Sequence, residues 1–456
     1  MNTASRIFHH TQALCPDCKA KVTARTIERE GKVWLEKFCP EHGLSDVLIS
    51  SDANWYRDSI RYVKPRQIPD DINVREFRGC PESCGSCPQH QQHTCLPVIE
   101  ITSDCNLDCP VCLKDLDKQQ RMSREEFAGI LDNLLRCEGR IDVLNLSGGE
   151  PTVHPDLPEF LRLTRDKGIM QTTVSTNGLA LLRSPRLRQA FKETNTIVAL
   201  QFDGFRPATS QFLRGKDLAQ AKLDLIKTLD GEGIRYSLVS TLANGVNQDE
   251  IPAIVDFFFR SQAVSLMFQP IALTGAARQF SQRERITIPD VVHAVEQSRF
   301  VNPGDFNPLP CSHFSCFALA YYFSLGDGRF LSLKEFLGLD VYLDVIANKT
   351  LPGLDDAGFE AIRNRLYDVW SLADAGSLGE QALARIQQVL REAASDKLTP
   401  QRAFALGIES MKAIFIHDFM DASTLDIGRL IKCCNPYPQT DGRLVPICAQ
   451  NVFFQN

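Results

Sequence analysis

Cys105, Cys109 and Cys112 lie in the run CNLDCPVC with C-x3-C-x2-C spacing, directly behind the apolar segment VIEITS at 98–103. Three thiolates on one short loop can hold three irons of a four-iron cluster and leave the fourth iron without a protein ligand, open to a small molecule. A structural zinc site would instead present four ligands, usually in paired C-x2-C steps. Some thirty residues on, the apolar run IDVLNL ends in Ser147-Gly148-Gly149-Glu150-Pro151. The glycine pair lacks Cβ atoms and lets the backbone approach a ligand closely, with the Glu150 carboxylate beside it as an acceptor. Either signal alone has a bland reading, a zinc knot or a turn; their order and separation join them into one site.

The other cysteines also group by spacing. Cys15 and Cys18, then Cys39 and His42, form two knuckles separated by a loop of twenty residues, a pattern that builds a tetrahedral site for zinc or iron. Cys80, Cys84, Cys87 and Cys95 follow in a segment rich in Pro and Gly, and suit an iron–sulfur cluster held entirely by protein, with His90 and His93 inside the last interval. Cys311 and Cys316, with Cys434 (or its neighbour Cys433) and Cys448, are expected to close a further cluster that ties the C-terminal segment back to the region after the barrel. Cys137, among Leu134 and Leu135, reads as a structural thiol.

These groups need a scaffold, and the middle of the chain supplies one. Strand-length apolar runs (VIEITS, VLNLS, QTTVSTNG, TIVALQFDG, RYSLVSTLANG, AVSLMFQPIAL) alternate with amphipathic helical segments, the first of which opens on a Ser123/Glu126 capping box. Repeated βα units imply a parallel sheet with crossover helices, whose active residues gather at the carboxyl ends of the strands. Ser175, Thr176 and Asn177, then Gln201, Asp203, Ser240, Thr241 and Gln269, stand at those ends. The expected division is a metal ribbon over 1–62, a four-Cys segment over 63–97, a barrel over 98–275 and a C-terminal region over 276–456.

The 456 residues carry a net charge of −6, which offers no footprint for nucleic acid. Neither a signal peptide nor an apolar stretch of membrane-spanning length is apparent. A cytoplasmic location is expected, where 16 Cys serve as metal ligands rather than disulfides.

Together, CPDC and CPEHG, the four-Cys segment, CNLDCPVC, SGGEP, VSTNG, LQFDG, FQPIALTG and the tail FIHDFMDAS through DGRLVPIC resemble the radical S-adenosylmethionine (SAM) superfamily, in its class D methyltransferase-like subgroup. The resemblance implies an α/β fold: a partial (β/α)6 barrel with an N-terminal zinc-ribbon or rubredoxin-like module and auxiliary iron–sulfur extensions. It implies three [4Fe-4S] clusters and one zinc or iron ion. SAM would sit on the cluster of Cys105, Cys109 and Cys112, contacted by Gly148, Gly149, Glu150, Ser175, Asn177, Gln201 and Ser240. An external one-electron reductant would drive its cleavage to a 5′-deoxyadenosyl radical, which takes hydrogen from an unactivated carbon.

The expected outcome is carbon–carbon bond formation. The Phe-rich segments 254–259, 316–325 and 336–346 favour a lipid chain, with transient membrane contact. A pterin-like ring is the alternative, with Asp418, Asp421 or Asp203 to read its amide and amine. A peptide-modifying enzyme is a further alternative, and a zinc-stabilised binding module is the non-enzyme reading.

Overall fold

The computed structural model describes residues 6–454 except 73, 76–78, 115–119, 281–284, 327, 350–359, 362–363, 365–379 and 394–399. Strands β1 (Arg6–Leu14), β2 (Lys21–Arg29), β3 (Lys32–Cys39) and β4 (Gly43–Ser50) form an antiparallel sheet in chain order. The interval between Cys18 and Cys39, expected as a loop, is therefore largely the β2–β3 hairpin. Alternation explains it: Val33, Leu35 and Cys39 fall on one buried face of β3. Helix α1 (Ala53–Ser59) follows, its first turn capped by Asp52, which accepts from the Asn54 N–H at 2.7 Å.

Six strands then lie parallel in chain order: β5 (Val98–Thr102), β6 (Val143–Gly148), β7 (Gln171–Thr176), β8 (Ile197–Gln201), β9 (Tyr236–Leu242) and β10 (Ser265–Pro270). Their crossovers carry α2 (Arg124–Glu138), α3 (Leu157–Asp166), α4 (Leu179–Arg183), α5 (Pro185–Glu193), α6 (Pro207–Arg214), α7 (Ala219–Glu232) and α8 (Ile251–Arg260). The Ser123/Glu126 capping box is formed, and α2 buries Phe127, Ile130, Leu131 and Leu134 against the sheet. Cys137 lies in the same core and is fully buried.

The sheet does not stop near residue 275. Strand β11 (Asn307–Pro308), β12 (Phe317–Gly326), β13 (Arg329–Ser332) and β14 (Met411–His417) extend it, so the expected boundary between barrel and C-terminal region cuts through one continuous sheet. The reason is the open edge of β10: β14 pairs with it in parallel, Leu266 opposite Ile414, and β12 then pairs antiparallel with β14. Short strands β15 (Pro436–Pro438) and β16 (Leu444–Pro446) form a separate pair.

At the base of β14, Lys412 donates to the backbone oxygens of Phe258, Ser261 and Ala263 at 3.0, 2.8 and 2.7 Å. It thereby caps α8 and joins the added strand to the barrel. Among the described residues, no helix is long and apolar enough to cross a membrane. Phe258, fully buried beneath the Lys412 ammonium, is central to this junction. Phe258→Ala is expected to cost about 3–5 kcal/mol, measured by urea unfolding.

Candidate active site

The loop carrying Cys105, Cys109 and Cys112 leaves the carboxyl end of β5 and lies against the end of β6. The Gly149 N–H donates to Thr102 O at 2.7 Å and the Glu150 N–H to Asp104 O at 2.7 Å. A Cβ at Gly148 would stand 2.1 Å from Thr102 O, and one at Gly149 2.3 Å from Asp104 O. The glycine pair thus seats the cysteine loop itself, a nearer task than the approach to a ligand expected from the sequence. On the opposite side Gly275 fills the same need, because its Cβ would lie 2.7 Å from Cys112 O.

Glu150 is also spent within the protein. Its buried carboxylate accepts from Thr152 N and Oγ1 (3.0 and 2.5 Å), Thr176 Oγ1 (2.6 Å) and the Asn177 N–H (2.7 Å). It locks the end of β6 to the end of β7 rather than presenting a free acceptor. Asn177 Nδ2 continues the chain to Asn106 Oδ1, inside the cysteine loop, at 2.6 Å. Ser175 is engaged sideways with Asn145. Ser240 differs: its hydroxyl is fully buried at the end of β9 and has no partner among the described residues.

Two buried cations face this site, and neither was singled out in the sequence. Arg214, at the end of α6, forms a two-pronged pair with Asp203 at 2.7 Å on each prong, and donates to Thr241 Oγ1 (2.8 Å) and to Cys109 Sγ. Burial opposes its charge, but the Asp203 carboxylate outweighs that and holds the guanidinium charged. Lys222, on α7, donates to Asn177 O and, at 3.3 Å, to Gln201 Oε1. Burial pulls it down to about 8, and among the described residues it forms no ion pair. A buried ammonium without a direct counter-ion fits an anionic ligand. LRGKD and AKLD, on the helices behind β8, carry no local mark that sets these two apart from solvent-facing basic residues.

Burial also pushes the thiols up, Cys105 to about 11 and Cys109 and Cys112 in the same direction. Such thiols lose their protons when a metal binds them. The donor set, the glycine-held loop, the orphaned Ser240 hydroxyl and the Lys222 ammonium all fit a metal cluster that carries a small anionic ligand.

The ribbon's four ligands converge. Cys18 Sγ and Cys39 Sγ are 3.9 Å apart, and His42 Nδ1 is 3.7 Å from Cys15 Sγ and 3.5 Å from Cys39 Sγ. A tetrahedral ion with metal–sulfur bonds of about 2.3 Å spaces its ligands by about 3.8 Å. The remaining cysteines are grouped otherwise than expected. The Cys95 thiol lies beside those of Cys311 and Cys434, while the Cys80 thiol lies beside that of Cys84. Cys448 packs with Cys80, Cys84 and Cys433, apart from Cys311. The Cys95 and Leu96 N–H groups both donate to Cys434 O, at 2.9 and 3.1 Å, which brings Cys95 against the C-terminal segment.

The carboxylates considered for reading a heterocycle are likewise occupied. Asp203 pairs with Arg214, Asp421 with Arg285 and the Leu273 N–H (3.0 Å), and Asp418 with Arg429 at 3.6 Å.

Residues 99–258 match the model of the radical SAM superfamily, with the cysteine loop and SGGEP inside the matched span. These residues form a radical SAM domain. Residues 7–51 of this enzyme match a second model, the HMPTM N-terminal zinc ribbon domain. The enzyme is 29% identical over 484 aligned residues to 7,8-dihydro-6-hydroxymethylpterin dimethyltransferase of Methanocaldococcus jannaschii, covering 97% of this chain and 93% of that one. It is 32% identical over 185 residues to Fe-coproporphyrin III synthase of Methanosarcina barkeri, over 39% of this chain and 45% of the relative. Among solved structures, Streptococcus suis SuiB bound to S-adenosylmethionine matches with a TM-score of 0.39 and 17% identity, over 45% of this chain and 47% of that one.

As a radical SAM enzyme it should depend on the seating of its cysteine loop. Gly149→Ala is expected to lower bound iron by about four per chain with far-ultraviolet circular dichroism unchanged, read by iron analysis after anaerobic reconstitution.

Proposed function

We propose that this radical SAM enzyme attaches a one-carbon unit to a pterin-like heterocycle by forming a carbon–carbon bond, using three [4Fe-4S] clusters and one zinc ion. The observation that carries this reading is the near end-to-end similarity to the pterin dimethyltransferase, which takes in ribbon, barrel and tail together. When bound at Cys105, Cys109 and Cys112, the cluster and SAM supply a 5′-deoxyadenosyl radical able to take hydrogen from an unactivated carbon.

The chain's own residues do the positioning. Gly148, Gly149 and Gly275 clamp the cysteine loop, and Glu150 braces the strand ends behind it. The Lys222 ammonium is the group to receive the carboxylate of SAM, with Gln201, Asn177 and the free Ser240 hydroxyl as its polar neighbours. Arg214, fixed by Asp203, sets the charge beside Cys109. An external one-electron reductant completes the requirements, and a reducing, cytoplasmic compartment suits so many free thiols.

In the Phe-rich segments that favoured a lipid chain, Ile254, Val255, Phe258, Tyr321, Tyr322, Tyr342 and Ile346 are packed core side chains, each no more than 1% exposed, so core packing accounts for them without a lipid.

Anaerobically reconstituted enzyme given SAM and dithionite is expected to release 5′-deoxyadenosine. Cys105→Ala, Cys109→Ala or Cys112→Ala should each abolish release while retaining the iron of the other clusters; retained cleavage in all three would sink the assignment. Lys222→Met is expected to weaken SAM binding roughly 10- to 100-fold, the loss of one charged hydrogen bond, with iron content unchanged in equilibrium dialysis. With SAM and the reductant present, a reduced pterin should gain one-carbon mass units, read by mass spectrometry. An unaltered pterin beside a coupled lipid in parallel reactions would overturn the substrate class.

A further inference from the structure

Outside the ribbon, the 105–112 loop and Cys137, nine free cysteines remain: 80, 84, 87, 95, 311, 316, 433, 434 and 448. Two four-iron clusters held by four thiolates each would use eight of them. Sequence order suggests one cluster ahead of the barrel and one behind it. The packing divides them differently.

Cys95, Cys311 and Cys434 are buried in one apolar core with Leu309, Tyr321 and Ile346, and Cys316 packs against it. Cys84 and Cys448 lie in a second core with Met420, Leu430 and Val445, and Cys80 and Cys433 pack against that one. The adjacent residues Cys433 and Cys434 therefore face opposite cores. Backbone bonds fix the division on both sides. Cys434 O accepts from the Cys95 and Leu96 N–H groups, while the Gln91 N–H donates to Ile431 O at 2.7 Å and His90 Nε2 meets Cys433 O at 2.9 Å. Those last two contacts bring Cys433 beside the 80–90 turn, where Cys84 lies close to Cys80, Cys87 and Cys433.

The ninth thiol is accounted for separately. Cys448 Sγ accepts the Met420 N–H at 3.3 Å, and the neighbouring guanidinium of Arg429 donates to Cys316 Sγ at 3.4 Å. Cys316 packs against the core that holds Cys95, Cys311 and Cys434, whereas Cys448 lies in the other core, where Cys433 is the tail thiol close to Cys84.

We propose that the two auxiliary clusters, on whose presence the functional reading above relies, each bridge the two sides of the barrel. One is held by Cys95, Cys311, Cys316 and Cys434. The other is held by Cys80, Cys84 and Cys87 and closed from the C-terminal segment by Cys433. Cys95 thus leaves the motif it belongs to in sequence, and the Cys433-Cys434 dipeptide supplies one ligand to each cluster.

Paired substitutions in the full-length reconstituted enzyme test this, read by iron content and by low-temperature electron paramagnetic resonance of the dithionite-reduced protein. Cys95→Ala, Cys311→Ala and the double variant should all lose the same signal and the same iron, about four per chain. Cys84→Ala and Cys433→Ala should share the loss of a different signal. The Cys84→Ala/Cys95→Ala double variant should lose both signals and about eight irons. The proposal is overturned if Cys84→Ala/Cys95→Ala loses no more than Cys84→Ala while Cys95→Ala/Cys311→Ala loses both signals. It is also overturned if Cys433→Ala leaves the Cys84 signal intact.

Should alanine variants fail to fold, Cys95→Ser and Cys84→Ser retain an oxygen ligand, and each should shift the g-values of one signal only, not the same one. Absence of auxiliary iron in a protein that still releases 5′-deoxyadenosine would end this assignment without touching the SAM-cleaving site. Loss of 5′-deoxyadenosine with both auxiliary signals intact would do the reverse.

Discussion

The active end of this barrel depends on a backbone-to-backbone contact. The end of β6 can lie on the loop behind β5 only because residues 148 and 149 have no side chains, and the carbonyl oxygens of Thr102 and Asp104 occupy the space that Cβ atoms would need. Once that contact exists, the rest is built outward from it. Glu150 carries it to β7, Asn177 returns it to Asn106, and Lys222 reaches the same turn from α7. The cysteines are placed by main chain and small polar groups, which hold a loop more tightly than the thiols could hold themselves before metal arrives.

Much of this was legible in the sequence, and for a consistent reason. Strand and helix positions followed from local alternation, so the six parallel strands and the α2 capping box lie where the residues put them. The cysteine loop and the ribbon ligands were legible because each set lies in short, closely spaced motifs. What failed was information carried across long separations. Cys95 stands eight residues from Cys87 in sequence, yet its contacts are with Cys311 and Cys434, chosen by main-chain hydrogen bonds that no spacing encodes. The twenty-residue interval of the ribbon is a hairpin rather than a loop, and the alternation of Val33, Leu35 and Cys39 is the local pattern that encodes it. Lys222 and Arg214 were overlooked because on a helix a basic residue normally reaches solvent; only the fold turns these two inward.

Residues 418–434 form a hub that local motifs could not announce. Asp421 accepts from the Leu273 N–H near the cysteine loop, Ser423 O accepts from Lys37 of the ribbon at 2.5 Å, and Asp426 accepts from Thr11 on β1 at 2.6 Å. Arg429 reaches Cys316 from the same stretch. A single segment therefore touches the ribbon, the end of β10 and the auxiliary cysteines. Each of its carboxylates is matched to a buried or half-buried partner, which is why none was free to read a substrate.

Lys114, two residues beyond Cys112, ends the cysteine loop. It pairs with Glu100 at 2.5 Å, lies 4.0 Å from the centre of the Tyr437 ring and donates to Asn451 Oδ1 at 3.1 Å, a partner 337 residues later in the chain. The stretch just behind Cys112 is thereby tied to the C-terminal segment as well as to the barrel, so a change at Tyr437 or Asn451 reaches the cysteine loop without touching a thiol.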